Sequence, residues 1–130
     1  MKHSPLESRH IALVAKMADF GGWQMPIEYP TGVLAEHTAV RTAVGLFDVS
    51  HLGKISVTGN TANSAKEFLN SELTNDLTKL KTGGAQYNLL CTESGGVIDD
   101  LIVYQRSDFE FLLIHCRLFF RNYSTVFLSS

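Results

Sequence analysis

Two adjacent carboxylates, Asp99 and Asp100, stand in an otherwise apolar segment, Gly95-Gly96-Val97-Ile98-Asp99-Asp100-Leu101-Ile102-Val103-Tyr104. Successive side chains of a strand point to opposite faces. Val97, Asp99, Leu101 and Val103 then share one face, and Ile98, Asp100, Ile102 and Tyr104 share the other. If both faces are covered, at least one carboxylate loses hydration in its ionised form. It must then find a partner or hold its proton more tightly. Groups in that condition are concentrated where protons move. The plainer reading is turn chemistry, in which Asp side chains after Gly-Gly satisfy backbone amides. The pleat does not choose between the two acids. The company of Ile102 and Tyr104 favours Asp100, because an aromatic beside an acid suits a flat heterocyclic ligand.

Other reactive residue types are less informative. Asp48, Ser50 and His51 lie in Phe47-Asp48-Val49-Ser50-His51, too close along the chain to converge as a triad around one nucleophile. Asp48 and Ser50 are expected to satisfy local amides, and His51 to be a hydrogen-bonded structural residue. His10, His37 and His51 share no ligand spacing, so no metal is expected. Cys91 and Cys116 form neither a redox motif nor a disulfide framework. Phe20-Gly21-Gly22-Trp23 lacks the strand–loop–helix context of a phosphate cradle and reads as a tight turn with Trp23 packed in the core. Arg41 is by default a solvated surface charge.

The elements that must carry these residues follow from punctuation and period. Ser4-Pro5-Leu6-Glu7 predicts a short helix with a capping box, interrupted by Asp19-Phe20-Gly21-Gly22-Trp23 and Pro26. Pro30 and Gly32 mark a turn. Val33 to about Ala43 has helical spacing, with Gly45 expected as a left-handed cap. Leu52–Thr58 alternates as a strand, and Asn60 or Thr61 can cap a helix running to about Leu73. Gly83-Gly84 is a turn. Gln86–Cys91, Val97–Tyr104 and Phe109–Ile114 read as strands, the first two joined through Ser94-Gly95-Gly96. No long crossover helix separates these three, so the pairing is antiparallel and the class α+β.

A chain of 130 residues suits one ordinary domain, and 45% hydrophobic against 18% charged residues supports a real core. With a net charge of −2 and scattered basic residues, neither nucleic acid nor an anionic membrane is an expected partner. No apolar run approaches a spanning helix, and the opening Met1-Lys2-His3-Ser4-Pro5 lacks a signal-peptide core. The plain reading is cytoplasmic.

Six segments, in order and spacing, resemble one family. They are Ser4-Pro5-Leu6; Ala15-Lys16-Met17 through Asp19-Phe20-Gly21-Gly22-Trp23 to Met25-Pro26; Ala39-Val40-Arg41-Thr42; Gly45-Leu46-Phe47-Asp48-Val49-Ser50-His51; Leu73-Thr74-Asn75-Asp76; and Gly95 to Tyr104. Together they are similar to the aminomethyltransferase T proteins of the glycine cleavage system, over about Ser4 to Ile114. The resemblance implies a folate-binding fold in which three domains surround a channel for tetrahydrofolate. Residues 1–114 would supply the N-terminal part of the folate-binding domain. The implied reaction carries a methylene unit from the aminomethyl-dihydrolipoyl arm of H protein to tetrahydrofolate, releasing ammonia. By the same resemblance Asp100 is the catalytic aspartate. Tyr87, Ile102 and Tyr104 line the folate pocket, and Leu52 stands where the family commonly has Met.

The chain also departs from the family. His115-Cys116-Arg117 replaces the usual Val-Asn-Ala, and a thiol at Cys116 lacks the paired acceptor and donor of an amide. Residues 115–130 read as a divergent tail, expected from a truncated or frame-disrupted reading frame. The fragment itself is then expected to be inactive. Two alternatives are a T-like module that holds folate or a partner without turnover, and a folate fold within a related oxidising fusion. The lack of a dinucleotide-binding segment argues against a flavin on this chain.

Overall fold

The structure, a computed structural model, describes residues 1–115; of the expected tail only His115 is described, and Cys116, Arg117 and residues 118–130 lie outside the described residues. The chain falls into two compact units, Met1–His51 and the residues from Leu52 onward. Length alone does not reveal this division.

In the first unit, Gly21 and Gly22 adopt φ of 60° and 83° and close a tight hairpin. Positive φ at both central residues matches the right-handed twist of the flanking strands, and glycine reaches it without a Cβ clash. The turn joins β2 (Lys16–Phe20) to β3 (Trp23–Glu28), with Phe20 opposite Trp23. β1 (Lys2–His3) adds to β3 in parallel, so the sheet of order β1-β3-β2 is mixed. Helix α1 (Glu7–Ala12) is short, as the sequence predicts, and the chain reverses through Val14 at φ 58° into β2.

The capping box does not form. Glu7 instead meets His3, Nδ1 to Oε1 at 2.7 Å, while the Ser4 hydroxyl accepts from the Leu6 amide at 3.0 Å. Trp23 is half-buried rather than a core residue, with the Lys2 ammonium 5.4 Å from its ring centroid. Helix α2 (Val33–Thr42) follows Gly32, at φ 82°, and ends as expected near Ala43. Gly45 is not its left-handed cap. The chain leaves the helix at Ala43 with φ −141°, and position 45 is held to glycine because a Cβ there would collide with the Val40 side chain.

Among the described residues, the second unit is a four-stranded antiparallel sheet under one α-helix and a short 3-10 turn at Leu77–Lys79. Its strands are β4 (Gly53–Thr58), β5 (Ala85–Cys91), β6 (Val97–Gln105) and β7 (Glu110–His115), in the order β4-β7-β6-β5. Gly95, at φ 85°, turns β5 into β6 as its sequence context predicts. Helix α3 (Ser64–Glu72) starts later than Asn60 or Thr61 would place it. Asn63 takes a left-handed conformation there, and the Ser64 hydroxyl folds back to the Thr61 carbonyl at 2.9 Å. Local hydroxyl-to-backbone bonding has displaced the side-chain cap.

One face of this sheet is the core face. Leu101 and Val103 of β6, with Phe111 and Leu113 of β7, pack under Ala65 and Leu69 of α3 and under Leu73, Leu77 and Leu80 beyond it. Each fully buried large side chain among these contributes about 1.5–3 kcal/mol. The α+β class with mixed and antiparallel sheets is the one the sequence predicts.

Candidate functional site

β6 divides its residues between two environments. Asp99, Leu101, Val103 and Gln105 are buried on the core face, whereas Ile102 and Tyr104 are each 37% exposed. Antiparallel register extends that division across the sheet. Tyr87 stands opposite Ile102, Leu89 opposite Asp100, and on the other side Leu112 opposite Tyr104. Residues directly opposite one another point to the same face. The outer face therefore presents Asp100, Ile102, Tyr104 and Tyr87 together.

The phenol of Tyr87 donates to Oδ2 of Asp100 at 3.2 Å. Four of the five site residues expected from the sequence are thus gathered on one surface. Leu52, the fifth, lies at the head of β4, half-buried, with its carbonyl accepting from the Lys54 ammonium at 2.8 Å. β7 stands between β4 and β6, which puts Leu52 roughly 10 Å from Asp100 across the strands. It does not join the cluster.

The two acids of the pair have different surroundings. Asp100 is half-buried and faces outward, so it keeps part of its hydration. Asp99 carries the burial the sequence anticipated for one of them. It is 9% exposed, and its Oδ2 is 3.1 Å from Nδ1 of His115, itself 5% exposed. A carboxylate only accepts, so Nδ1 donates. The other oxygen, Oδ1, accepts the backbone amide of Asp100 at 2.9 Å. The plainer reading, in which an Asp caps a backbone amide, therefore describes Asp99, though within the strand and not at the Gly-Gly turn.

The first unit holds a second polar cluster that local patterning does not show. Asp48 Oδ2 accepts from the Ser4 hydroxyl and from Nε2 of His10 at 2.8 Å, while Oδ1 accepts from the Ser50 amide at 2.9 Å. His10 Nδ1 lies 2.8 Å from the Tyr29 phenol. Burial pushes the Asp48 carboxyl up, but hydrogen bonds from Ser4, Ser50 and His10 outweigh it and hold the group well below the usual carboxylate range. Burial, then the negative charges of Glu36 and Asp48, push the Tyr29 phenol up. An ionised Asp48 and a neutral Tyr29 on either side of His10 tie the N-terminal segment, α1, the end of β3 and the segment after α2 into one network. Asp48 caps Ser50 as expected, but His51 differs from expectation. Its Nδ1 is buried with no hydrogen-bond partner among the described residues, and the ring packs edge-on against Phe20 at 5.2 Å between centroids.

A family model described as "GCVT N-terminal domain" matches residues 6–120. The chain belongs to that family. It is 60% identical over 112 residues to an aminomethyltransferase of Mycobacterium bovis, covering 86% of this chain and 29% of that protein. It is 58% identical over 115 residues to an aminomethyltransferase of Frankia alni, covering 88% of this chain and 31% of the relative. Among solved structures, it is similar to the glycine cleavage system aminomethyltransferase T from Bartonella henselae, with a TM-score of 0.77 and 41% identity. That match covers 88% of this chain and 31% of the other. The chain thus spans less than a third of the length of these relatives. The family is one of transferases, as the sequence resemblance implies.

Proposed function

We propose that the chain supplies the first wall of a tetrahydrofolate site in an aminomethyltransferase of glycine cleavage. In the proposed reaction a methylene unit passes from the aminomethyl group on the dihydrolipoyl arm of H protein to tetrahydrofolate, and ammonia leaves. The observation that carries this reading is the outward face of β6 and β5. An acid, a phenol bonded to it and two further large, partly exposed side chains share one face of the sheet, the polar and apolar mix a flat heterocycle uses.

The residues present fit such a ligand. The Asp100 carboxylate accepts hydrogen bonds from ring and exocyclic N–H groups and orients the heterocycle. Its position also allows it to hold a proton near a reacting nitrogen. Tyr87 keeps one oxygen of Asp100 occupied, leaving the other for the ligand. Ile102 and Tyr104 offer apolar and aromatic contact along the same wall. Leu52, in this reading, lies further out along the ligand, since it stands two strands from the acid.

These residues form one side of a site only. Among the described residues the acid is only half-buried, so they do not by themselves supply the electrostatic gain of an enclosed site. The isolated chain is therefore expected to bind tetrahydrofolate weakly and to turn nothing over. The test is an NMR titration of the 130-residue chain with tetrahydrofolate. Shifts confined to Tyr87, Asp100, Ile102 and Tyr104, and lost in Asp100→Ala, are expected. Absence of shifts at millimolar ligand, or shifts elsewhere, would overturn the assignment. Tight binding without turnover would favour a holding module. Methylene-tetrahydrofolate formed by the chain with lipoylated H protein alone would show that one wall suffices.

A further inference from the structure

We infer that Asp99 and His115 are positioning residues for Asp100, acting from the opposite face of the sheet. The inference rests on the folate-site reading for its purpose, but the geometry behind it is independent of any ligand. Three strands meet at this pair. Asp99 is on β6, His115 is on β7 opposite Leu101 and Gly53, and Gly53 begins β4. The His115 ring lies so close over Gly53 that a Cβ at position 53 would collide with it. The absence of a side chain there is what lets the ring lie flat and present Nδ1 to Asp99.

The carboxylate of Asp99 spends its two oxygens on different tasks. Oδ2 accepts from His115 and Oδ1 accepts from the backbone amide of Asp100. A buried carboxylate needs both kinds of partner, since its desolvation is costly unless hydrogen bonds replace the lost water. His115 therefore fixes Asp99, and Asp99 fixes the peptide unit from which the Asp100 side chain springs. The direction of that side chain on the outer face is set by a buried pair on the inner one. The arrangement explains why two adjacent acids occur in one strand: the first holds the backbone and the second meets the ligand.

The test uses the full 130-residue chain and amide hydrogen exchange. His115→Ala is expected to speed exchange of the Asp100 amide by roughly tenfold relative to Val103 and Leu113, the change for one charged hydrogen bond lost. It should also weaken the tetrahydrofolate-induced shift at Asp100 about tenfold. His115→Asn, which returns an amide donor near the position of Nδ1, should restore both to within about threefold. A merely structural histidine would accelerate Asp100, Val103 and Leu113 alike and would not be rescued by Asn; either result overturns the inference. Should the alanine variant not fold, Asp99→Asn keeps the shape and an acceptor but loses the charge. It is expected to raise Asp100 exchange about threefold, and no change there would be equally decisive against the pair. If wild-type chain shows no shift with tetrahydrofolate, the folate reading fails, while the exchange result still decides whether the pair holds Asp100.

Discussion

Tyr87 and Asp100 meet diagonally across two strands, phenol to carboxylate at 3.2 Å, although the register pairs Tyr87 with Ile102 and Asp100 with Leu89. Diagonal neighbours lie further apart than direct ones, and only a long side chain spans the gap. Tyr87 is 58% exposed, so this bond contributes little to the fold. Tyr87→Phe is accordingly expected to change unfolding stability by less than about 0.5 kcal/mol. In the same variant the tetrahydrofolate affinity, read by NMR titration, should fall about threefold to tenfold. Unchanged affinity would remove Tyr87 from the site.

Gly53 makes a different prediction, since its role lies in what it leaves out. Gly53→Ala pushes the His115 ring off the strand and should destabilise the second unit by about 1–3 kcal/mol. In a His115→Ala background the same change should cost less than about 1 kcal/mol, because the colliding atoms are gone. Urea unfolding of the four variants measures the coupling. Additive costs would show that the clash with His115 is not the reason for glycine.

Asp48 imposes a pH dependence on the first unit. Its carboxyl is held below the usual range in the folded chain, so the folded state binds a proton less readily than the unfolded one. The resulting stability is fully present above the ordinary aspartate value of about 3.9 and is lost as pH falls below it toward the folded value. Trp23 is the single tryptophan and lies in this unit, so its fluorescence during urea unfolding reports the change. Asp48→Asn should cost about 2–3 kcal/mol at neutral pH and flatten the acid dependence. An unchanged slope in that variant would assign the acid sensitivity to other carboxylates.

In the second unit, Phe111 is fully buried between the sheet and α3. Phe111→Ala should cost about 3–5 kcal/mol, from lost transfer energy and the cavity left behind. Far-ultraviolet circular dichroism against denaturant measures it. A cost under about 1 kcal/mol would mean that the core collapses around the gap.

The sequence makes some of this legible and hides the rest for identifiable reasons. The alternation through Asp100, Ile102 and Tyr104 marks the outer face of β6 because a strand's period is local. Gly95 marks its turn for the same reason. The hairpin of β2 and β3 escapes that reading. Lys16–Phe20 has no clear period, and its partner Trp23–Glu28 contains Pro26, which weakens any strand signal. His10 with Asp48, and Asp99 with His115, are pairs made by tertiary folding across 38 and 16 residues. No spacing rule applies to them. The apolar neighbours foretell burial for one of the two acids without saying which, and they say nothing of its partner.

The strand order has a consequence for how the second unit forms. Gln105 pairs with Phe111 across a short turn, and Cys91 with Val97 likewise, so β5, β6 and β7 zip together by closing small loops. Gly53 must instead find His115 from the far end of the unit. The entropic cost of closure grows with loop length, and contacts distant along the chain slow the rate. The meander is therefore the natural nucleus, and β4 is the last strand to arrive, completing the sheet only after the carboxylate wall has already been built.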